Sequence, residues 1–156
     1  PYFNFFELDV LCRMGKLTEV LDKIRSYWGG MLDLGAVTFW EEYDPSVPKE
    51  EQYDMYGDHF GKSLCHAWAA SPIYFLAKYF AGLDLVNKDG VTYILKPQMQ
   101  YFTELDCTLP VGSNGVVRLV WDGEILEITP NVDGGILELG EQKLSLVRGE
   151  TRRVKI

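Results

Sequence analysis

The spacing of apolar residues changes once along this chain, and that change limits the fold more than any other feature. Over residues 2–83 the apolar side chains recur every three or four positions, which predicts helices. From residue 84 onward they alternate in short runs separated by turn residues, which predicts strands. We therefore expect an α+β chain, with helices in a first domain of residues 1–83 and an antiparallel β-sandwich in residues 84–156.

The first part predicts three helices and a long irregular segment. The first helix is apolar on nearly all sides, which is typical of a helix buried between others, and Gly15 should end it. The second helix should have Thr18 as its N-cap and stop at Gly29-Gly30. Residues 31–62 are expected to be irregular, and a loop of that length is usually functional or disordered. The third helix is expected over residues 63–80.

The second part predicts several short strands. They cover residues 91–95, 116–121, 124–129, 136–139, 143–147 and 152–156. Asp122-Gly123, between two of these strands, is a dipeptide typical of a two-residue hairpin. Because no helical pattern interrupts the strands, we expect antiparallel pairs in a sandwich.

Charge and cysteine content exclude several classes of site. The formal net charge is −8 and no basic stripe is visible, which argues against binding to nucleic acid. No apolar run is long enough to cross a bilayer and no targeting segment is present, so no membrane contact is expected. Cys12, Cys65 and Cys107 are far apart and lack metal-ligand spacing, so each is expected to be a buried, small apolar residue. No metal or cofactor is predicted.

Aromatic and acidic residues are concentrated between Thr38 and Asp44. The segment reads Thr38-Phe39-Trp40-Glu41-Glu42-Tyr43-Asp44 and follows shortly after Gly35. Aromatic faces stack on the C–H faces of a pyranose ring, and carboxylates accept hydrogen bonds from sugar hydroxyls or transfer protons. The pattern is therefore typical of a sugar-binding or sugar-cleaving site. A surface loop with packed aromatics and solvated acids would explain the same residues.

Three segments together carry a resemblance to a known family. They are Tyr27-Trp28-Gly29-Gly30-Met31-Leu32, Gly35-Ala36-Val37-Thr38-Phe39-Trp40-Glu41 and Lys62-Ser63-Leu64-Cys65-His66-Ala67-Trp68. They resemble the C-terminal region of the bacterial α-L-rhamnosidase family of glycoside hydrolases, and residues 84–98 resemble the start of that family's closing β-domain. The family has an (α/α) barrel of six helical hairpins followed by a β-sandwich. The resemblance implies that residues 1–83 are the last helices of such a barrel and residues 84–156 the sandwich.

The same resemblance implies an inverting hydrolysis of terminal α-L-rhamnosides. Glu41, directly after the Trp of the T-x-W-E motif, would be the general base, and Trp40 and His66 would contact the substrate. The general acid would come from an earlier segment outside this chain, so the chain alone is expected to be inactive. The expected partner is a rhamnose-containing glycoside or oligosaccharide. A location in the bacterial cytoplasm and one in the periplasm both stay open.

Residues close to these positions are expected to be structural. Glu42 should point away if Glu41 points into a cleft, and Asp44, before Pro45, should form an Asx turn. Trp28 and Trp68 have helical spacing and are expected in the core.

Three functions stay open from the sequence. One is a truncated piece of a rhamnosidase-like hydrolase, and another is part of a different six-hairpin exo-glycosidase. The remaining one is a non-catalytic carbohydrate-binding or interaction module, with the sandwich as its working part. Such a module needs exposed aromatics on one strand face. The second part offers Tyr93, Tyr101, Phe102 and Trp121.

The aromatic beginning of the chain, Pro1 to Phe6, predicts a cut inside a larger protein. A first helix that is apolar on both sides would then lack neighbours on one side. We expect self-association through the exposed helices, with Phe3, Phe5, Phe6 and Val10 at the contact.

Overall fold

Helices and strands occupy separate parts of the chain. The structure, a computed structural model, describes residues 1–87 and 92–156, which form two compact units, Pro1–Phe75 and Leu76–Ile156. The first unit is helical and irregular, and the second is mainly two β-sheets, so the α+β prediction is confirmed. The change from helix to strand falls between residues 80 and 83, whereas the units divide between residues 75 and 76.

The helices are short. They are α1 (Tyr2–Arg13), α2 (Leu17–Lys23), a π-helical turn (Ile24–Trp28), α3 (Gly29–Asp33) and α4 (Ser71–Phe75) in the first unit, with a second π-helical turn (Leu76–Phe80) in the second. Gly15 ends α1 as predicted: its φ is 73°, a left-handed conformation that glycine adopts without strain. No helix within the described ranges is both long enough and apolar enough to span a membrane.

The predicted limits of the second helix were wrong at both ends. Lys16, not Thr18, occupies the N-cap position of α2, and no side chain caps the helix. Gly29 and Gly30 do not stop it, because the helical backbone continues through the π-helical turn into α3. Tertiary packing outweighs the weak helix propensity of glycine here, since Trp28 and Met31 on either side are buried.

The helix predicted over residues 63–80 begins only at Ser71. Residues 63–66 are not helical, and Ala67–Ala69 form a single 3₁₀ turn. Pro72 is the second residue of α4, and the first turn of a helix accepts proline because its N–H groups have no partner inside the helix. Residues 63–66 form hydrogen bonds with a distant segment, residues 38–41, instead of a helix. The apolar spacing of the sequence does not reveal such distant hydrogen bonds.

Eight strands form two four-stranded sheets within the described part of the second unit. They are β1 (Leu83–Leu85), β2 (Tyr93–Leu95), β3 (Leu105–Val111), β4 (Gly115–Trp121), β5 (Ile125–Pro130), β6 (Gly135–Leu139), β7 (Gln142–Leu146) and β8 (Arg152–Lys155). The sheet orders are β1-β2-β6-β7 and β3-β4-β5-β8. Val91, the first residue of one predicted strand, lies outside the described residues. The strands β1 and β3 were not predicted.

Among the described residues, the strand pairs are antiparallel except one. β2 runs parallel to β6, with Tyr93 opposite Gly135, so the expectation of only antiparallel pairs was wrong at this point. The chain leaves β2, passes through β3, β4 and β5 of the other sheet, and returns to the first sheet in the same direction. A long connection of this kind is what a parallel pair requires.

Alternating side chains of both sheets form one core. In β4 every second residue from Gly115 to Trp121 is buried, as the alternation in the sequence predicted. Tyr93 in β2 is completely buried, and a side chain at Gly135 would overlap its ring. Among the described residues the Tyr93 hydroxyl has no hydrogen-bond partner. Burial raises the pKa of Tyr93 to about 12, with Asp133 contributing in the same direction.

Several apolar side chains of α1 are exposed. Phe3 is 80% exposed, and Phe6 and Val10 are also exposed, whereas Phe5 is half-buried against Phe75 with ring centroids 5.2 Å apart. Three of the four residues expected at a self-association contact are therefore accessible in the first unit. The self-association itself stays a prediction.

Tyr93→Phe should make the stability of the protein less sensitive to alkaline pH. The folded state holds the Tyr93 proton more tightly than the unfolded state, so this contribution is complete below about pH 10 and is lost as the pH rises towards 12. Between neutral pH and about pH 11, the wild type should lose about 1.4 kcal/mol of its free energy of unfolding through Tyr93, and the variant should not. At neutral pH it should lose little, because the removed hydroxyl has no described partner. Urea unfolding at both pH values measures this, and equal losses on going to alkaline pH would contradict it.

Candidate functional site

Two segments of the first unit, residues 38–41 and 63–66, are held side by side by hydrogen bonds. Bonds run from the Glu41 N–H to the Ser63 carbonyl (2.8 Å), from the His66 N–H to the Phe39 carbonyl (2.8 Å), and from the Thr38 hydroxyl to the Leu64 carbonyl. These bonds lie outside any regular strand. They bring Glu41 and His66, the two predicted polar site residues, to the same surface depression.

Both oxygens of the Glu41 carboxylate accept hydrogen bonds. The Ser63 N–H donates to Oε2 at 3.1 Å, and the Tyr56 hydroxyl donates to Oε1 at 3.0 Å. These two donors, first Ser63 and then Tyr56, lower the pKa of Glu41, and the charges of His66 and Lys62 act in the same direction. Glu41 is therefore an ionised carboxylate at neutral pH and can accept a proton.

The depression is open and has a volume of about 740 Å³. Aromatic, carboxylate and imidazole groups share its surface, and its lining includes Tyr2, Phe3, Tyr27, Glu41, Glu42, Tyr43, Tyr56, His66 and Trp68. The His66 ring is edge-on to Trp68, with centroids 6.0 Å apart. This combination provides polar groups for hydroxyls and aromatic faces for a sugar ring.

The two tryptophans predicted in the core have different positions. Trp28 is buried, as predicted, and its indole N–H donates to the Ala69 carbonyl at 2.8 Å. Trp68 is 69% exposed, so its prediction was wrong. The prediction assumed a continuous helix from residue 63, whereas the 3₁₀ turn of residues 67–69 buries Ala69 and exposes Trp68.

Trp40 does not line the depression. It is 4% exposed and packs edge-on against Tyr53, with ring centroids 5.6 Å apart. The indole therefore supports the loop from inside, next to Glu41. Its predicted contact with a substrate stays a prediction, and the ring has almost no exposed surface that could make this contact.

The acids after Glu41 behave differently from each other. Asp44 forms the predicted Asx turn, since the N–H and hydroxyl of Ser46 donate to its Oδ1 at 2.8 Å and 2.7 Å. Glu42 also lines the depression, contrary to the expectation that it would leave from the opposite side. Alternation of sides holds in a regular strand, and residues 41–44 do not form one.

A buried glutamine stabilises the same loop. Gln52 is 2% exposed, and its Nε2 donates to the carbonyls of Asp44 and Val47 at 2.6 Å and 2.8 Å. A segment without regular structure must satisfy its backbone carbonyls in this way.

The cysteines are all free, but only two of them are shielded from solvent. Cys12 is buried and Cys107 is half-buried, whereas Cys65 is exposed, so the prediction of burial was wrong for Cys65. Burial raises the pKa of Cys12 to about 11. Within residues 1–87 and 92–156, no group of three or more His, Cys, Asp or Glu side chains is arranged to hold a metal ion.

Tyr56 is the site residue that the sequence analysis missed. Its phenol reaches Glu41 from fifteen positions further along the chain. The one local signal is the glycine that follows it, because glycine favours turns and turns lie at the surface.

Gly30 in α3 makes room for Tyr43 at the depression. A side chain at Gly30 would lie within 2.5 Å of the Tyr43 hydroxyl oxygen, whereas one at Gly29 would meet no atom within 4 Å. The Tyr43 N–H donates to the Tyr27 hydroxyl at 3.1 Å, which fixes the tyrosine backbone against the helix.

Gly30→Ala should be less stable than Gly29→Ala by about 1–3 kcal/mol, because both variants gain the helix propensity of alanine but the methyl group at residue 30 forces the Tyr43 ring to move. Gly29→Ala is the matched control, and it should stabilise by about 0.5–1 kcal/mol because alanine favours the helix. Urea unfolding of the two variants and the wild type tests this. Equal stability of both variants would show that Gly30 is not needed for close packing.

Comparison with known proteins gives a likeness to a solved structure. No family model matches the sequence, and no curated protein matches it. The chain is similar to the crystal structure of a GH78 family rhamnosidase of Bacillus sp. GL1, with a TM-score of 0.66 and 23% identity. The similarity covers 90% of this chain and 15% of that chain.

This likeness shows the fold. The chain shares its fold with a stretch of a glycoside hydrolase, and it spans less than a sixth of that enzyme's length. At this identity, neither the activity nor the substrate of the enzyme follows for this chain.

Proposed function

We propose that this chain forms part of an inverting glycoside hydrolase that cleaves terminal α-L-rhamnosides, with Glu41 as the general base. The observation that carries the proposal is the pairing of residues 38–41 with residues 63–66. It places an ionised carboxylate and the His66 imidazole on one open depression. The shared fold with part of a rhamnosidase supports the same substrate class.

In an inverting hydrolysis the base acts on the attacking water. The water oxygen bonds to the anomeric carbon while Glu41 accepts a water proton, and the bond to the leaving oxygen breaks as a general acid protonates that oxygen. Each Glu41 oxygen has a second lone-pair direction beside the one that its donor occupies. The carboxylate can therefore bind a water while Ser63 and Tyr56 hold it in place.

His66 and Trp68 would contact the sugar. The His66 imidazole can donate to or accept from a ring hydroxyl, and the exposed Trp68 indole provides an apolar face. We propose a supporting role for Trp40, since its buried ring packs against Tyr53 and the residue directly precedes Glu41 in the chain.

We propose that the general acid comes from another part of a longer protein. The other carboxylates among the described lining residues are Glu42 and Asp44. Asp44 is engaged in its Asx turn, and Glu42 directly follows the base in the chain. An inverting pair needs carboxyl groups roughly 6.5–9.5 Å apart on opposite faces of the sugar.

The isolated chain should not hydrolyse an aryl α-L-rhamnoside at an enzymatic rate. General acid catalysis contributes roughly 10²–10⁴-fold, and half of the proton transfers would have no catalyst. Release of the aryl group by the purified chain measures this, with a complete glycosidase as positive control. Turnover at a rate typical of a glycosidase would place the acid within this chain.

In a longer protein that carries this chain, Glu41→Gln should lower kcat by about 10²–10⁴-fold with little change in KM. The amide keeps the shape of the carboxylate but cannot accept the water proton. Glu42→Gln is the matched control and should have a much smaller effect, because no described hydrogen bond holds Glu42 in place. Kinetics on an aryl α-L-rhamnoside measure both, and NMR of the wild-type product should show the β-anomer first. Reversal of the two results would move the base to Glu42.

The binding-module alternative has less support from the sandwich. Tyr93 and Trp121 are buried, and Tyr101 and Phe102 are half-buried, so none of the strand-region aromatics singled out from the sequence is exposed. Exposed aromatics, among them Tyr56 and Trp68, line the depression of the first unit instead. The other open function, a different six-hairpin exo-glycosidase, would use Glu41 in the same role, and a panel of aryl glycosides distinguishes the two.

A further inference from the structure

Tyr56 has an unfavourable backbone conformation. Its φ is 56°, and it is the one non-glycine residue with positive φ in the described part of the chain. Tyr56 and Gly57 are the central residues of a two-residue hairpin, in which Met55 and Asp58 exchange two backbone hydrogen bonds of 3.0 Å. With φ positive at both central positions the turn has the form of a type I′ turn, which favours Asn, Asp or Gly. A left-handed backbone is sterically unfavourable for a tyrosine, because its Cβ comes too close to the following carbonyl oxygen.

Burial of the ring does not offset this cost. Tyr56 is 84% exposed, so its side chain gains little from packing. The polar contact of its side chain is a hydrogen bond, which the hydroxyl donates to Glu41 Oε1 at 3.0 Å. Strain that persists in an exposed residue, and that places one polar group against a functional side chain, points to a role at the site.

The hairpin is anchored to the segment that holds the other side of Glu41. The Gly61 N–H donates to the Asp58 carbonyl at 3.2 Å, and a side chain at Gly61 would overlap the Met55 carbonyl oxygen. Two residues later the Ser63 N–H donates to Glu41 Oε2. Both donors to the carboxylate therefore belong to one continuous, internally bonded loop.

We propose that Tyr56 is a positioning residue, which the strained hairpin holds against Glu41 so that the carboxylate faces the depression in one orientation. The proposal rests on the proposed role of Glu41 as the base. Held at both oxygens, Glu41 cannot rotate its carboxylate away from the depression without breaking two charge-assisted hydrogen bonds. A base fixed in this way keeps a bound water aligned with the anomeric carbon.

Two substitutions separate the hydroxyl from the turn. Tyr56→Phe keeps the ring and the backbone strain but removes the hydroxyl. Tyr56→Asn also removes the donor but suits the left-handed position, so it should relax the backbone and keep the hairpin folded. Tyr43→Phe is the control, because it removes another hydroxyl from the same depression without removing a described donor to Glu41.

The first readout is the titration of Glu41 in the chain itself, followed by carboxyl-carbon NMR. Both Tyr56 variants should raise the pKa of Glu41, because a donor to its ionised form is lost, while Tyr43→Phe should leave it unchanged. Lys62 and His66 remain in every variant, so their charges cannot produce the difference. An unchanged Glu41 pKa in folded Tyr56→Phe and Tyr56→Asn would overturn the proposal.

The second readout is kinetic and uses a longer protein that carries this chain. Tyr56→Phe should lower kcat by roughly 10-fold to 100-fold with little change in KM, and the acid limb of the pH–rate profile should move to higher pH. Wild-type kinetics in this variant would overturn the positioning role. Full activity of Glu41→Gln would instead overturn the proposed function, and the NMR titration would still report on the contact between Tyr56 and Glu41.

Discussion

The site depends on a reciprocal pair of hydrogen bonds between Glu41 and Ser63. The Glu41 backbone N–H donates to the Ser63 carbonyl, and the Ser63 N–H donates to the Glu41 carboxylate. One backbone contact therefore fixes both the register of the two segments and the position of the side chain. A shift by one residue would break both bonds and leave the carboxylate without its N–H donor. The rest of the irregular loop, including the buried Gln52 and the hairpin at Tyr56, maintains this register.

The same bonds determine the charge of Glu41. Because donors stabilise the ionised form, its pKa lies below the usual value, and the contribution of these bonds to stability is present above the unfolded pKa and lost as the pH falls through the folded pKa. A lower pKa makes a carboxylate a weaker base, yet it also keeps the group ionised over the whole neutral range. The two donors therefore favour an ionised and oriented carboxylate while they lower its intrinsic basicity.

The sequence predicted the strands better than the first unit because strand signals are local. A turn forms at the expected place, but its two central residues are Gly123 and Glu124, because Trp121 lies opposite Leu126 and the Asp122 N–H donates to the Ile125 carbonyl. Gly123 has φ 96°, and the Asp122 carboxylate accepts from the N–H groups of Glu124 and Ile125. β3 was missed because its run contains Pro110, although its apolar and polar residues alternate regularly. Its position at the edge of its sheet is where a strand accepts proline. The parallel pairing of β2 with β6 joins strands distant in sequence, and no local pattern encodes it. The hydrogen bond from Tyr56 to Glu41 was not predicted either, because it also joins residues that are distant in the sequence.

Resemblance to a family singled out three segments of the first unit, and the structure gives a physical reason for their association. The segment from Tyr27 to Leu32 contacts residues that lie just beyond the ends of the other two, Tyr43 and Ala69, from one helical stretch. The Tyr27 hydroxyl accepts from the Tyr43 N–H, and Gly30 leaves space for the Tyr43 ring.

On the other side of the depression, the buried Trp28 indole donates to the Ala69 carbonyl and holds the 3₁₀ turn that exposes Trp68. Trp28 therefore acts on the site through the backbone that it anchors. The helical stretch is a scaffold bonded to Tyr43 and to Ala69, and the bonds between residues 38–41 and 63–66 join the two segments that carry Glu41 and His66. A substitution in this helix can disturb Glu41 and His66 without touching either residue.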